Sequence, residues 1–203
     1  MAPERLAWTT ELSALVFSVV SPLYDEVTAV EGYGEALEQA LLDLRGHPAR
    51  VLDVATGTGY AARRLKQQYP QAEVIGVDAA ADMVDIARSH AEEEGLDIAF
   101  GVGDAAKLPF DDASFDLVVC QNAPPFCDEM LRLLRPRGKA VLVYSFGGPW
   151  AEVAWPCVAR RMARSGASNT RGKRAGVGFF GIARKRTSAE SGPAPSAESG
   201  GRP

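Results

Sequence analysis

The chain is poor in the residues that build metal and disulfide sites, with only 2 histidines and 3 cysteines among its 203 residues. No metal centre is therefore expected. Cys120, Cys127 and Cys157 are odd in number and cannot close a complete disulfide set. With no secretory signal to read, they point to a reducing cytosol, and a cytoplasmic location is the expectation. Long apolar runs are also missing. Leu12 to Val20 is apolar but far short of a bilayer span. Glu4, Arg5 and Glu11 precede it, where a signal peptide would carry a basic stretch. It reads instead as an amphipathic, lid-like helix. No internal repeat is present.

What remains is an ordinary globular composition, 46% apolar and 24% charged, in a length that suits one domain with a real core. The net charge of −4 conceals an asymmetry. Residues 1–129 carry 23 acidic and 8 basic side chains, whereas residues 130–186 carry 13 basic side chains and a single acid, Glu152. Such a basic half suits a solvated surface, and it also suits an acidic substrate, nucleic acid or a partner.

Strand and helix signals alternate from residue 36. Leu37, Ala40, Leu41 and Leu44 lie at helical spacing, and Gly46 to Pro48 stop that helix. Strands are predicted at 50–55, 73–77, 98–102, 115–120 and 140–144. Helices are predicted along Ala61 to Tyr69, from an Asp82 cap through Met83, Ala87 and Ala91, around Met130 to Leu134, and across Val153 to Ala163. Pro136 and Gly138 should turn the chain into the fifth strand. Pro156 should fall in the first turn of the last helix or kink it. Two final strands, 169–174 and 177–185, are joined by a turn at Ala175-Gly176 too short for a parallel crossover, so they form an antiparallel hairpin. The expected fold class is α/β, with a doubly wound, mostly parallel sheet of about seven strands and a C-terminal antiparallel hairpin. Residues 1–186 form the domain, with 1–35 as its helical lid. Residues 187–203, rich in Ser, Gly, Pro, Ala and Glu, are expected to form a disordered tail.

The most informative segment is Val51-Leu52-Asp53-Val54-Ala55-Thr56-Gly57-Thr58-Gly59. A buried strand enters a glycine-rich turn and a helix follows at once, which builds a ligand cradle at a helix N-terminus. Gly57 to Ala62 also satisfies the dinucleotide pattern G-x-G-x-x-A, and Asp78 lies 19 residues past Gly59, where a ribose-binding acid belongs. A nicotinamide oxidoreductase would carry the same signature.

Further segments narrow the choice. Asp53-x-Ala55-x-Gly57-x-Gly59 resembles the first motif of the class I S-adenosylmethionine-dependent methyltransferases. Val74 to Asp78 with Met83, Gly103-Asp104-Ala105, Leu108-Pro109-Phe110, Ser114-Phe115-Asp116 and Leu133 to Gly138 resemble the family's later motifs in order. The resemblance covers residues 36–185 and implies a Rossmann-like fold, S-adenosylmethionine as cofactor and methyl transfer to a small-molecule acceptor. It also implies roles. Asp78 would accept from both ribose hydroxyls and Asp104 from the adenine amino group, with Ala105 reading the ring edge and Met83 packing on it. Gly57 and Gly59 would admit the methionine moiety, Asp53 would orient the loop or meet the amino group, and Gln121 would complete the cofactor contacts. Ala55 stands where the family has its first glycine, which is compatible with binding if its φ is negative.

The segment after the fourth strand is short, so the acceptor side is expected to be open or completed by the N-terminal segment or a partner. Gln121-Asn122-Ala123-Pro124-Pro125-Phe126 resembles an amine-gripping Asn-Pro-Pro-aromatic motif, but Ala123 puts Asn122 out of register. Asn122 and Tyr24, the latter resembling a lid tyrosine, are the candidate acceptor contacts. No catalytic base stands out, because His47 falls in a helix-ending turn and His90 late on a helix, both read as surface. Membrane attachment and nucleic acid are not expected partners, and no oligomeric state is implied. Two alternatives stay open: an RNA methyltransferase, for which Arg160, Arg161, Arg164, Arg171, Lys173 and Arg174 would serve, and a non-catalytic cofactor-binding or partner protein.

Overall fold

The computed structural model describes residues 26–190. The expected lid therefore lies largely outside the described residues, as do Tyr24 and most of the expected tail. The chain from Glu35 builds α1 (Glu35–Asp43), β1 (Arg50–Val54), α2 (Tyr60–Gln68), β2 (Glu73–Asp78), α3 (Ala81–Glu93), β3 (Ala99–Val102) and β4 (Phe115–Gln121). It continues through α4 (Cys127–Leu133), β5 (Leu134–Tyr144), α5 (Gly148–Arg164), β6 (Ala167–Ala175) and β7 (Gly178–Lys185), and ends in a 3-10 turn at Ser188–Glu190.

The seven strands form one sheet in the order β3-β2-β1-β4-β5-β7-β6. β1 to β5 are mutually parallel, and β7 runs antiparallel to both β5 and β6. The order reverses between β1 and β4, and in open α/β sheets ligands bind in the crevice beyond the strand ends at such a point. β1 is buried along its whole length after Arg50, as a central strand covered on both faces must be. Val51, Val119, Val141 and Phe180 face α1 and α2 in one core, and Leu52, Val118, Leu142 and Ala183 lie with Met130 of α4 and Met162 of α5 in the other. Among the described residues, no helix is long and apolar enough to cross a membrane.

Three local expectations are corrected. Asp82 does not cap α3: the N-cap is Ala80, whose own N–H is donated to Asp78 Oδ1 at 3.0 Å. No separate turn at Pro136–Gly138 precedes the fifth strand. α4 runs straight into β5, whose pairing slips between Phe115 and Leu117, with Arg137 at φ 71. The last helix begins at Gly148, earlier than expected, so Pro156 sits in its interior, where it removes one helical N–H.

α5 is seated by glycines. Gly172 of β6 and Gly181 of β7 leave the space that the Trp155 ring occupies, and that ring packs 5.7 Å from Phe179. A Cβ at Gly181 would fall 2.1 Å from Trp155. Gly181→Ala should therefore cost about 1–3 kcal/mol, the usual penalty of overpacking. Urea denaturation tests this, and an unchanged midpoint would show that Trp155 is not held there.

Candidate functional site

The turn between β1 and α2 is built from left-handed backbone. Ala55 (φ 56), Gly57 (φ 55) and Gly59 (φ 81) all have positive φ. At Gly59 the constraint is also steric, because a Cβ would meet Ala87 at 3.0 Å and the Phe100 ring at 3.1 Å. Gly59 thus closes α2 onto α3 and β3. Ala55 does not have the negative φ on which its compatibility with binding was expected to rest. An L-residue in this region stores roughly 1–2 kcal/mol of strain, and here the surrounding hydrogen bonds hold it.

Those bonds come mostly from β2. Thr56 donates its N–H to the Val77 carbonyl at 3.0 Å, and Gly57 donates its N–H to Asp78 Oδ2 at 2.8 Å. From behind, His90 Nδ1 lies 3.3 Å from the Thr58 carbonyl oxygen. His90 is therefore half-buried against the loop, not a plain surface residue. Asp78, accepting from Gly57 and Ala80 at once, ties the glycine turn to the start of α3. Its burial raises its pKa against the lowering effect of those N–H donors.

Asp53 is 1% exposed, and Thr56 Oγ1 donates to its Oδ2 at 2.6 Å. Its Oδ1 is buried with no partner at full hydrogen-bond geometry, and the Ala62 N–H is the backbone donor that acts on the carboxyl. A carboxylate desolvated in this way resists ionisation. Burial, opposed chiefly by the Thr56 hydrogen bond, pushes its pKa from 3.8 to about 7.

Two narrow clefts of about 10 and 30 Å³ open on this arrangement. The first is walled by Asp53, Thr56, Tyr33 and Tyr60, and the second by Gly57, Asp78, Met83 and Asn122; Ala55 and Gln121 line both. Each admits a single functional group, and a larger ligand would extend from them across the strand ends. Met83 is both core, at 1% exposure, and cleft wall. Seven of the residues picked out from sequence (Asp53, Ala55, Gly57, Asp78, Met83, Gln121 and Asn122) are thus brought together. Gly59 stands behind them as the N-cap of α2. Asp104 and Ala105 do not border either cleft. Asp104 accepts the Ala106 N–H at 2.9 Å as a turn residue does, and Ala105 is buried in the core. Tyr24 lies outside the described residues.

Asn122 is committed to Ser145. It donates from Nδ2 to Ser145 Oγ at 2.9 Å and accepts the Ser145 N–H on Oδ1 at 2.8 Å. Gln121 Nε2 donates to the same Ser145 Oγ at 2.9 Å. The two amides therefore fasten the end of β4 to the end of β5, and Asn122 is not poised to grip an amine.

An aromatic band that no sequence motif marks lies beside the clefts. The Tyr33 ring meets Tyr60 edge-on at 5.0 Å and Phe146 at 6.1 Å. Phe146 then enters a groove of about 380 Å³ with Tyr144, Trp150 and Trp155. Trp150 is 81% exposed and Phe146 is 42% exposed. Burial pushes the Tyr144 phenol up to about 12. The signals were present in Gly32-Tyr33-Gly34 and in Ser145-Phe146-Gly147-Gly148, aromatic residues set among glycines at the ends of elements. Among the described residues, no group of three or more His, Cys, Asp or Glu could hold a metal ion.

The strand order and the glycine turn at the switch point define a Rossmann-like fold of the class I methyltransferase kind. A methyltransferase-domain family model matches residues 51–138. The demethylmenaquinone methyltransferase of Deinococcus radiodurans is 40% identical over 139 residues, 63% of this chain and 58% of that protein. The malonyl-[acyl-carrier protein] O-methyltransferase of Methylococcus capsulatus is 36% identical over 132 residues, 61% of this chain and 47% of that protein. An S-adenosylmethionine-dependent methyltransferase of Thermotoga maritima has the same fold, with a TM-score of 0.66 and 18% identity over 85% of this chain and 99% of its own. The chain thus carries a methyltransferase domain over residues 51–138 and is similar to methyltransferases, and it spans only about half to three fifths of the curated relatives it matches.

The Asp53 environment carries its own pH signature. Its pKa rises on folding, so between about pH 4 and 7 the folded chain holds a proton that the unfolded chain has lost. Stability therefore falls as the pH rises through that window. Asp53→Asn mimics the protonated acid. Denaturation from pH 4 to 8 should show the variant near wild type at pH 4 and more stable above pH 7, by a few kcal/mol and at most ~4 for a shift of this size. A pH-independent difference would contradict the buried, reluctant carboxylate.

Proposed function

We propose that this chain binds S-adenosylmethionine at the ends of β1 and β2 and transfers its methyl group to an apolar, ring-bearing small molecule. The observation that carries the cofactor assignment is the orphaned Asp53 Oδ1. An unsatisfied buried acceptor is costly, of order 1–3 kcal/mol or more for a charged group, and a cationic amino group is the donor that would relieve it. Asp78 keeps unused lone pairs after accepting from Gly57 and Ala80, since an ionised carboxylate offers about four acceptor sites. Those lone pairs suit a pair of ribose hydroxyls. Met83 offers a flat apolar wall for a base, and Gln121 spans the two clefts.

When bound, S-adenosylmethionine supplies an electrophilic methyl group on a sulfonium. The protein's part is then positioning, which can contribute on the order of 7–11 kcal/mol in favourable cases. Asp53 fixes the amino-acid end, Asp78 holds the glycine turn, and the aromatic band offers a stacking surface for the acceptor. Tyr144, with its phenol pushed up to about 12, stays protonated at neutral pH and cannot act as a base. A groove that offers no base among its described residues suits an acceptor that brings its own acidic hydroxyl or activated carbon. The demethylmenaquinone methyltransferase relative supports a fused-ring acceptor of this sort, and the aromatic groove supports it over a malonyl thioester. Of the basic residues that would serve RNA, Arg161 is paired with Asp128 and Arg171 donates to the Asp43 carbonyl, so the cluster is partly consumed within the fold.

Two measurements test the reading. At pH 6, calorimetry in buffers of different ionisation enthalpy should detect release of up to one proton as S-adenosylmethionine binds, because a donor to Oδ1 favours ionised Asp53. Asp53→Asn should abolish that release and weaken binding by about 1.5–3 kcal/mol. Proton-silent binding of equal affinity in both proteins would contradict the assignment. With labelled methyl donor and a panel of quinols and thioesters, Phe146→Ala and Trp150→Ala should raise the acceptor KM roughly tenfold or more while leaving cofactor affinity unchanged. Unchanged acceptor kinetics would remove the aromatic groove from the acceptor site.

A further inference from the structure

The other end of the sheet carries a cleft with a different chemistry. It lies below the N-terminal ends of β1 and β4 and the start of β5, roughly 20 Å from the Asp53 end by strand rise from Ala49 to Ala55. It has a volume of about 360 Å³, and its walls include Arg45, His47, Arg135, Arg137 and Lys139. The one acid in its lining is Asp116. That acid is spoken for: its Oδ2 accepts the N–H groups of Ala49 and Arg50, both at 2.9 Å, and its Oδ1 accepts from Arg135 at 2.8 Å. Burial works against its ionisation, yet Arg135 and those two N–H donors hold Asp116 below the usual carboxylate range.

The remaining cations have no counter-charge. Among the described residues, neither Arg45 nor Arg137 forms an ion pair, and Lys139 Nζ donates only to the Arg45 carbonyl at 2.6 Å. Arg171 of the edge strand lies nearby but is partly balanced, its guanidinium donating to the Asp43 carbonyl at 2.9 Å and lying 3.7 Å from the Asp43 carboxylate. Lys139 is part-buried among these groups, and burial together with the charges of Arg171 and Arg45 lowers its pKa. Bringing like charges together around a concavity without an acid to balance them raises the energy of the empty cleft, and an anion would lower it. Two guanidinium groups suit phosphate oxygens in particular, since the planar fork offers paired N–H donors. The apolar flank formed by Leu44 and Tyr69 closes one side. The cations thus ring a pocket instead of forming the extended stripe that would track a nucleic-acid backbone.

We infer that this cleft is a second ligand site, separate from the cofactor site, for a compact phosphorylated metabolite, held by Arg45, Arg137 and Lys139. Nothing in the methyl-transfer reading requires it, and it does not depend on that reading.

Pyrophosphate is the probe, titrated calorimetrically into the full chain at several salt concentrations. One saturable site is expected, with affinity falling as salt rises. Arg137→Asn, which keeps a residue able to hold the left-handed backbone at that position, and Lys139→Gln should each weaken pyrophosphate at least tenfold and leave S-adenosylmethionine affinity unchanged. Because Arg137 is exposed, its variant tests the site even if Lys139→Gln fails to fold. The inference is overturned by any of four results: no saturable heat, wild-type affinity in Arg137→Asn, competition between pyrophosphate and S-adenosylmethionine (which would place the anion at the glycine turn), or stronger binding of a short RNA than of pyrophosphate.

Discussion

The site depends on one cross-strand tether, the Gly57 N–H donated to Asp78 Oδ2 at 2.8 Å. With the neighbouring Thr56 N–H on the Val77 carbonyl, it clamps the turn after β1 to the end of β2. The clamp sustains the positive φ of Ala55, and it keeps Thr56 where its hydroxyl can satisfy one oxygen of Asp53. The other oxygen is left buried and unpartnered. A strained alanine and an orphaned carboxylate oxygen are both costly, and such costs concentrate where a fold is arranged for a ligand.

The two ends of the sheet have been put to different uses. At the C-terminal ends, Asp53 and Asp78 meet an aromatic band that runs from Tyr60 through Tyr33 and Phe146 to Trp150. The band is anchored from beneath by Ser145, which receives both Gln121 and Asn122 and so fixes the spacing of β4 and β5 where cofactor and acceptor would meet. At the N-terminal ends the charge of the cleft is reversed, with basic side chains in its walls and a single, already paired acid, Asp116. The sequence asymmetry between an acidic first part and a basic last part is thus partly resolved into two ends of one sheet.

Much of this was legible in the sequence. Strict strand–helix alternation and the short Ala175-Gly176 turn led to the observed sheet and its antiparallel β7, because hydrophobic period and loop length are local properties. Asp53, Gly57 and Asp78 were legible for the same reason, lying at fixed offsets from a glycine turn. What escaped depends on contacts between distant segments. The φ of Ala55 is set by β2, the pairing of Asn122 by Ser145 23 residues later, and the partial burial of His90 by the glycine turn 32 residues earlier. Asp82 has the side chain of a helix cap, but α3 is entered at Ala80, which has no capping side chain and whose own N–H goes to Asp78 upstream. The aromatic band escaped because Tyr33, Tyr60 and Phe146 belong to three separate elements and carry no shared spacing.

The most direct test of the account is a structure of the chain with S-adenosylhomocysteine bound. The ligand's amino nitrogen should lie about 2.7–3.2 Å from Asp53 Oδ1, the ordinary hydrogen-bond range, with the Gly57–Asp78 tether intact. A ligand whose amino group lies elsewhere, leaving Asp53 Oδ1 still unpartnered, would contradict it.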